Sequence, residues 1–211
     1  MSAFVKLSYF LSLIFAPIAA TTCIAAVDYP GTPPATATCE ADKTQILLAN
    51  DVIRCRWLLR EGKAEALEIT DRPTGKTLIL RSGYMPRIIL ADNRVVDLAS
   101  LTPSRPFNCE ELKPDTPKSS RAENASAGHM LSARFVDSRS GLTIDWSAEL
   151  RDDSNYVNQT LVLQTGRDVK IERIDFFDAS VKNARQVGEV GGSVVFCDNI
   201  FLAVENPLAE N

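Results

Sequence analysis

Residues 142–150 restrict the fold more than any other stretch. Leu142, Ile144, Trp146, Ala148 and Leu150 alternate with Thr143, Asp145, Ser147 and Glu149. Successive side chains of a strand point to opposite faces, so this run buries one face and wets the other. The same alternation recurs in Ile53, Cys55, Trp57 and Leu59, set against Arg54, Arg56 and Leu58, and again in Leu131, Ala133 and Phe135. No stretch carries a convincing 3.6-residue apolar period, so any helices are expected to be short.

Turn residues separate the apolar runs. Asp71-Arg72-Pro73-Thr74-Gly75, Ala91-Asp92-Asn93 and Ser138-Arg139-Ser140-Gly141 each interrupt one. So do residues 151–155, 166–168 and 191–192. Gly supplies positive φ, Pro presets its own φ, and Asn and Asp bond their own backbone, so such clusters turn the chain. Further strands are expected at residues 64–70, 77–80, 87–90, 94–98, 156–165, 169–177, 186–190 and 193–204. About a dozen short strands at this spacing predict an all-β, mainly antiparallel sandwich.

Two segments depart from the pattern. Residues 27–43 are rich in Pro, Thr and Ala and have no period, which predicts a linker ahead of a sandwich spanning 44–211. Residues 101–127 are punctuated by Pro103, Pro106, Pro114 and Pro117, which predicts a long surface loop.

The amino terminus has the form of an address. Met1 to Lys6 carries one positive charge, residues 7–18 are almost wholly apolar, and small residues end at Ile24-Ala25-Ala26. This predicts a secretory signal peptide over 1–26, cleaved near Ala26. Its apolar core is shorter than the ~20 residues a bilayer span needs. The expected location is secreted or periplasmic, with no membrane attachment after cleavage. Export permits disulfides. Cys23 leaves with the signal, so Cys39, Cys55, Cys109 and Cys197 are left, which allows three connectivities. Cys39 and Cys109 lie in Pro-containing segments and form the expected pair. Cys55 alternates with apolar residues and, like Cys197, is expected to be a core thiol.

Composition narrows the chemistry. The chain has 23 Lys and Arg against 27 Asp and Glu, a net charge of −4, and so no basic footprint for nucleic acid. His129 is its one imidazole, and no two cysteines are spaced C-x-x-C, so neither a metal nor a cofactor is expected. A Ser–His–Asp arrangement would have to use His129, which opens a strand and reads as a solvated strand-end residue. Thr74-Gly75-Lys76-Thr77 looks like the end of a phosphate-binding loop. Position 70 is Thr where that loop needs Gly, and the context is a hairpin, so a turn is expected. Asp145 and Glu149 share a strand face but stand roughly 13 Å apart by strand rise, too far to flank one glycosidic bond. Trp57, Trp146, Phe135, Phe176, Phe177, Phe196 and Phe201 are expected mostly in the core.

Two blocks carry a resemblance. One runs from Asn50-Asp51-Val52-Ile53 through Trp57 and then from Leu67 to Lys76. The other runs from Gly191-Gly192-Ser193-Val194-Val195 through Asn199-Ile200-Phe201 to Glu205-Asn206-Pro207. Together they resemble the N-terminal galactose-mutarotase-like β-sandwich of secreted glycoside hydrolases related to α-galactosidase and α-N-acetylgalactosaminidase. Val194 stands where that pattern has Pro, and Asn206 where it has His. The resemblance implies an antiparallel supersandwich, a carbohydrate partner, and catalytic carboxylates on a (β/α)₈ barrel that follows the sandwich. A barrel takes ~250 residues, more than the sequence past Asn206 offers, so a truncated, carbohydrate-binding and noncatalytic sandwich is expected. Mutarotase-type epimerases use histidines with a carboxylate, and this chain has only His129. Glu205 and Asn206 are the candidate sugar contacts. Glu205, Asp175 and Asp145 are the candidate catalytic carboxylates if the chain is instead a small glycosidase. A free-standing secreted scaffold, using residues 101–127 for protein contacts, is the other alternative.

Overall fold

Strand formation follows the alternating runs, and the turns between them use the residues that tolerate positive φ. β3 (Ile53–Arg60) and β4 (Lys63–Asp71) are joined by Glu61 and Gly62, at φ 53° and 77°. Two positive-φ residues give a turn whose twist matches that of the flanking strands. The structure is a computed structural model that describes residues 31–114, 125–189 and 193–203. All of them belong to the compact unit that starts at Gly31. The expected signal peptide, Glu205 and Asn206 lie outside the described residues.

The protein is an all-β sandwich, and the described residues contain no α-helix. Its first large sheet has the order β1-β2-β3-β4-β5, with β1 (Thr38–Ala41), β2 (Gln45–Ala49) and β5 (Lys76–Leu80) completing it. The second has the order β11-β10-β9-β8, built from β8 (Arg105–Leu112), β9 (Gly128–Asp137), β10 (Leu142–Arg151) and β11 (Asn158–Thr165). Two three-stranded sheets accompany them. One is β12 (Ile171–Asp175), β6 (Arg87–Leu90) and β7 (Val95–Asp97). The other is β13 (Arg185–Val187), β14 (Val194–Cys197) and β15 (Ile200–Leu202). Every pairing is antiparallel.

The inner faces meet through the alternating residues. Trp57 of β3 and Trp146 of β10 are fully buried and touch edge to face, with ring centroids 5.6 Å apart. Phe107 packs T-shaped on Phe135 and Trp146. Each such side chain contributes about 1.5–3 kcal/mol by leaving water, and the edge-to-face geometry adds to that. Trp146 keeps its indole N–H satisfied by donating to Gln159 Oε1 at 3.0 Å.

Three expectations change. Residues 38–41 are not linker but β1, hydrogen-bonded to β2. Residues 105–112 are not loop but β8, paired with β9. Both are edge strands whose outward residues are mostly exposed and polar, so neither shows the alternation that marks β10. Finally, residues 193–204 do not form one strand. β14 and β15 make a hairpin around Asp198 and Asn199, with Asp198 at φ 51°.

Cys39 and Cys109 are joined by a disulfide with their Cα atoms 5.8 Å apart, which ties β1 to β8 and so links the two large sheets along one edge. Cys55 and Cys197 are buried thiols.

Candidate binding cleft at the open edge

The opposite edge is finished differently. Among the described residues β11 pairs only with β10, so its other side presents a row of unpaired backbone groups. Across from it stand β3 and β4. A cleft of about 840 Å³ lies between them, within the ~300–1,000 Å³ range of small-molecule sites.

Ile53, Cys55, Leu67, Ile69 and Leu161 give the cleft an apolar floor. Its rim is polar and aromatic. Asn155, Tyr156, Asn158, Gln159 and Thr160 contribute amides and hydroxyls on the β11 side. Asn199 and Phe201 come from the β14–β15 hairpin, and Phe176 and Phe177 from the segment after β12.

Specific contacts hold the two covering segments. Asn199 Nδ2 donates to Asp71 Oδ2 at 2.9 Å and to Thr74 Oγ1 at 3.4 Å, which pins the hairpin tip to the β4–β5 turn. Thr74 Oγ1 donates to the same Asp71 oxygen at 2.5 Å. Those bonds, Thr74 first and Asn199 second, hold the Asp71 carboxyl below the usual range, so it is ionised at neutral pH. Ile200 turns into the core, and the next residue, Phe201, therefore turns out and is 65% exposed. Phe201 thus departs from the expected core set, because strand alternation fixes its side once Ile200 is inside. Phe201 packs on Phe196, and Arg185 lies over the Phe196 ring at 4.8 Å. The segment after β12 is held by an ion pair between Arg87 and Asp178 and by the Asp178 N–H, which donates to Gly83 O at 3.0 Å. Gly83 sits at φ 59°, and a Cβ there would collide with the Asp178 backbone, so the close approach requires glycine.

The titratable groups limit the chemistry. Burial pushes the Cys55 thiol up to about 12, so the floor carries a neutral thiol and not a thiolate nucleophile. Asp71 is the one carboxylate among the described lining residues. Glycoside hydrolysis needs two carboxyl groups, one of them protonated, and an ionised Asp71 alone does not supply that pair. The described lining residues can therefore hydrogen-bond and stack, and among them there is no pair of carboxyl groups.

Of the candidate carboxylates, the two among the described residues lie elsewhere. Asp145 is on the outer face of β10, where Arg134 binds it in bidentate fashion at 2.5 and 2.8 Å and holds its carboxyl low. Asp175 is on β12 beside Arg173, at 3.1 Å. Neither lines the cleft. His129 is in β9, opposite Leu150 and Glu111, and also lies away from it. Thr74 and Gly75 lie in the β4–β5 turn, where the Gly75 N–H donates to Asp71 O at 2.8 Å, and Lys76 and Thr77 begin β5. Among the described residues no group of three or more His, Cys, Asp or Glu is placed to hold a metal ion. Asn155, Tyr156, Gln159 and Asn199 are not among the sugar contacts expected from the sequence. Asp198-Asn199 does carry a two-residue turn signal that places Asn199 at a hairpin tip. Comparison with protein families, with curated proteins and with solved structures finds no match.

Proposed function

We propose that this chain is an exported carbohydrate-binding β-sandwich of the galactose-mutarotase-like kind that accompanies glycoside hydrolases, and that it binds sugar without turning it over. The rim of the cleft carries the proposal. Side-chain amides both donate and accept, as sugar hydroxyls do, and Asn155 and Asn158 bring two of them to one opening, to which Asn199, its Nδ2 engaged by Asp71 and Thr74, adds a carbonyl oxygen. Phe176, Phe177 and Phe201 offer ring faces for the C–H side of a pyranose. The Cys39–Cys109 bond agrees with an oxidising compartment.

Calorimetric titration with D-galactose, N-acetyl-D-galactosamine and D-glucose tests the binding. Saturable heat with at least one sugar is expected, weakened about tenfold or more by Phe201→Ala, which removes a largely exposed ring. Absence of heat with all three ends the proposal. Mass spectrometry of the protein from its native host tests export, with an amino terminus near Val27 expected.

A further inference from the structure

The outer face of the β8–β11 sheet carries a second feature, visible only in the register. Thr160, Ser147, Ser132 and Asn108 stand directly opposite one another on β11, β10, β9 and β8. This row of short side chains crosses all four strands of the sheet. Longer side chains flank it on both sides. One wall has Asp145 and Arg134, with Arg105 opposite Arg134. The other has Glu149, Met130 and Glu110. Short residues between two rows of long ones make a trough that runs across the strands.

Bonds brace much of the walls, and the floor keeps three hydroxyls free. Arg134 holds Asp145 through two hydrogen bonds, Glu149 pairs with Arg151 at 3.6 Å, and Asn108 Nδ2 donates to Glu110 Oε1 at 3.1 Å. The hydroxyls of Thr160, Ser147 and Ser132 make no bond to the protein among the described residues. They remain available to a ligand. Asn158 and Thr160 also line the cleft, so the trough opens into it over the free edge of β11.

We infer that cleft and trough form one path for an extended, neutral glycan of several units, the cleft taking one sugar and the trough the chain that continues from it. The inference rests on the carbohydrate reading of the cleft. Neighbouring strands lie about 4.8 Å apart, comparable to the rise of one pyranose unit, so each strand can meet successive sugars with one hydroxyl or amide. Asp145 and Glu149 are paired with Arg134 and Arg151, and Arg105 and Glu110 add one charge of each sign, so the walls carry no net charge, which favours a neutral chain over a uronic or sialic acid polymer. An extended peptide docks alongside an edge strand, whereas this trough crosses the strands.

An array of neutral linear glycans of one to six units, followed by calorimetry on the series that binds, tests the inference. Affinity is expected to rise at least about tenfold from one unit to four. Ser147→Lys and, independently, Ser132→Lys should bring the longer chain back to the affinity of the single sugar. Thr143→Lys, on the same strand and face but outside the row, should leave the length dependence intact. Matched melting temperatures exclude misfolding, and the length series itself needs no variant. Binding that ignores chain length, or that loses its length dependence equally in Thr143→Lys, overturns the trough and leaves the cleft proposal standing. No binding anywhere on the array overturns both.

Discussion

At one long edge of the sandwich β1 and β8 are tied covalently by Cys39 and Cys109. At the other, β11 faces β3 and β4 across an open cleft, and the elements that reach over it are held by side chains. Asn199 on Asp71 anchors the hairpin, and Arg87 with Asp178 anchors the segment after β12. A covalent tie lowers the entropy of the unfolded chain and keeps two sheets in register, but it leaves no opening. Hydrogen bonds and a surface ion pair each contribute little, so the segments they hold belong to the low-stability end of the molecule, where ligand-binding elements are commonly found. The comparison gives the sandwich a rigid back and an adaptable mouth.

The largest expected effect removes the distinction altogether. Trp57→Ala or Trp146→Ala takes out half of the edge-to-face pair between the sheets and should cost about 3–5 kcal/mol, read from urea unfolding. Both edges should then open together. Next in size is the closed edge. Replacing Cys39 and Cys109 together by Ala should cost about 2–4 kcal/mol, with amide exchange rising in β1 and β8 while sugar binding by the folded protein persists. If β1 and β8 stay as protected as before, the disulfide is not what closes that edge.

The open edge should answer to smaller changes. Asn199→Ala removes the bonds to Asp71 and Thr74 and should cost about 1 kcal/mol, with faster exchange confined to β14 and β15. The smallest effect is that of pH. The Asp71 carboxyl lies below its unfolded value, so its contribution is full above the ordinary carboxylate range and is lost as pH falls through the depressed folded value. Acid should therefore loosen the hairpin before the disulfide-tied edge. Amide exchange followed across that range checks the order, and in Asn199→Ala the acid response of β14 and β15 should be blunted.

Legibility followed burial. β10 was readable to the residue, because its inner face is apolar at every second position and its outer face is polar throughout. β3 and β9 were readable for the same reason. β1 and β8 were not. An edge strand packed on one side by one or two residues carries no period, and the prolines around Phe107 argued for a loop. The β14–β15 turn was overlooked because Phe196, Cys197, Ile200 and Phe201 read as one apolar run, although Asp198-Asn199 is the kind of pair that reverses a hairpin. The floor of the cleft was legible in Ile53 and Cys55, but its polar rim was not. Asn155, Asn158 and Asn199 are ordinary loop and edge residues until the fold brings them to one opening.

By itself the sequence determined the class of architecture. Alternation decides which face of each strand is buried, and turn chemistry decides where the chain reverses, and both act over a few residues. The tertiary structure decided everything that depends on distant strands meeting. It brought Asn199 to Asp71 and lined up Thr160, Ser147, Ser132 and Asn108 in one row. Register between strands is set by the packing of whole faces, and no local pattern encodes it.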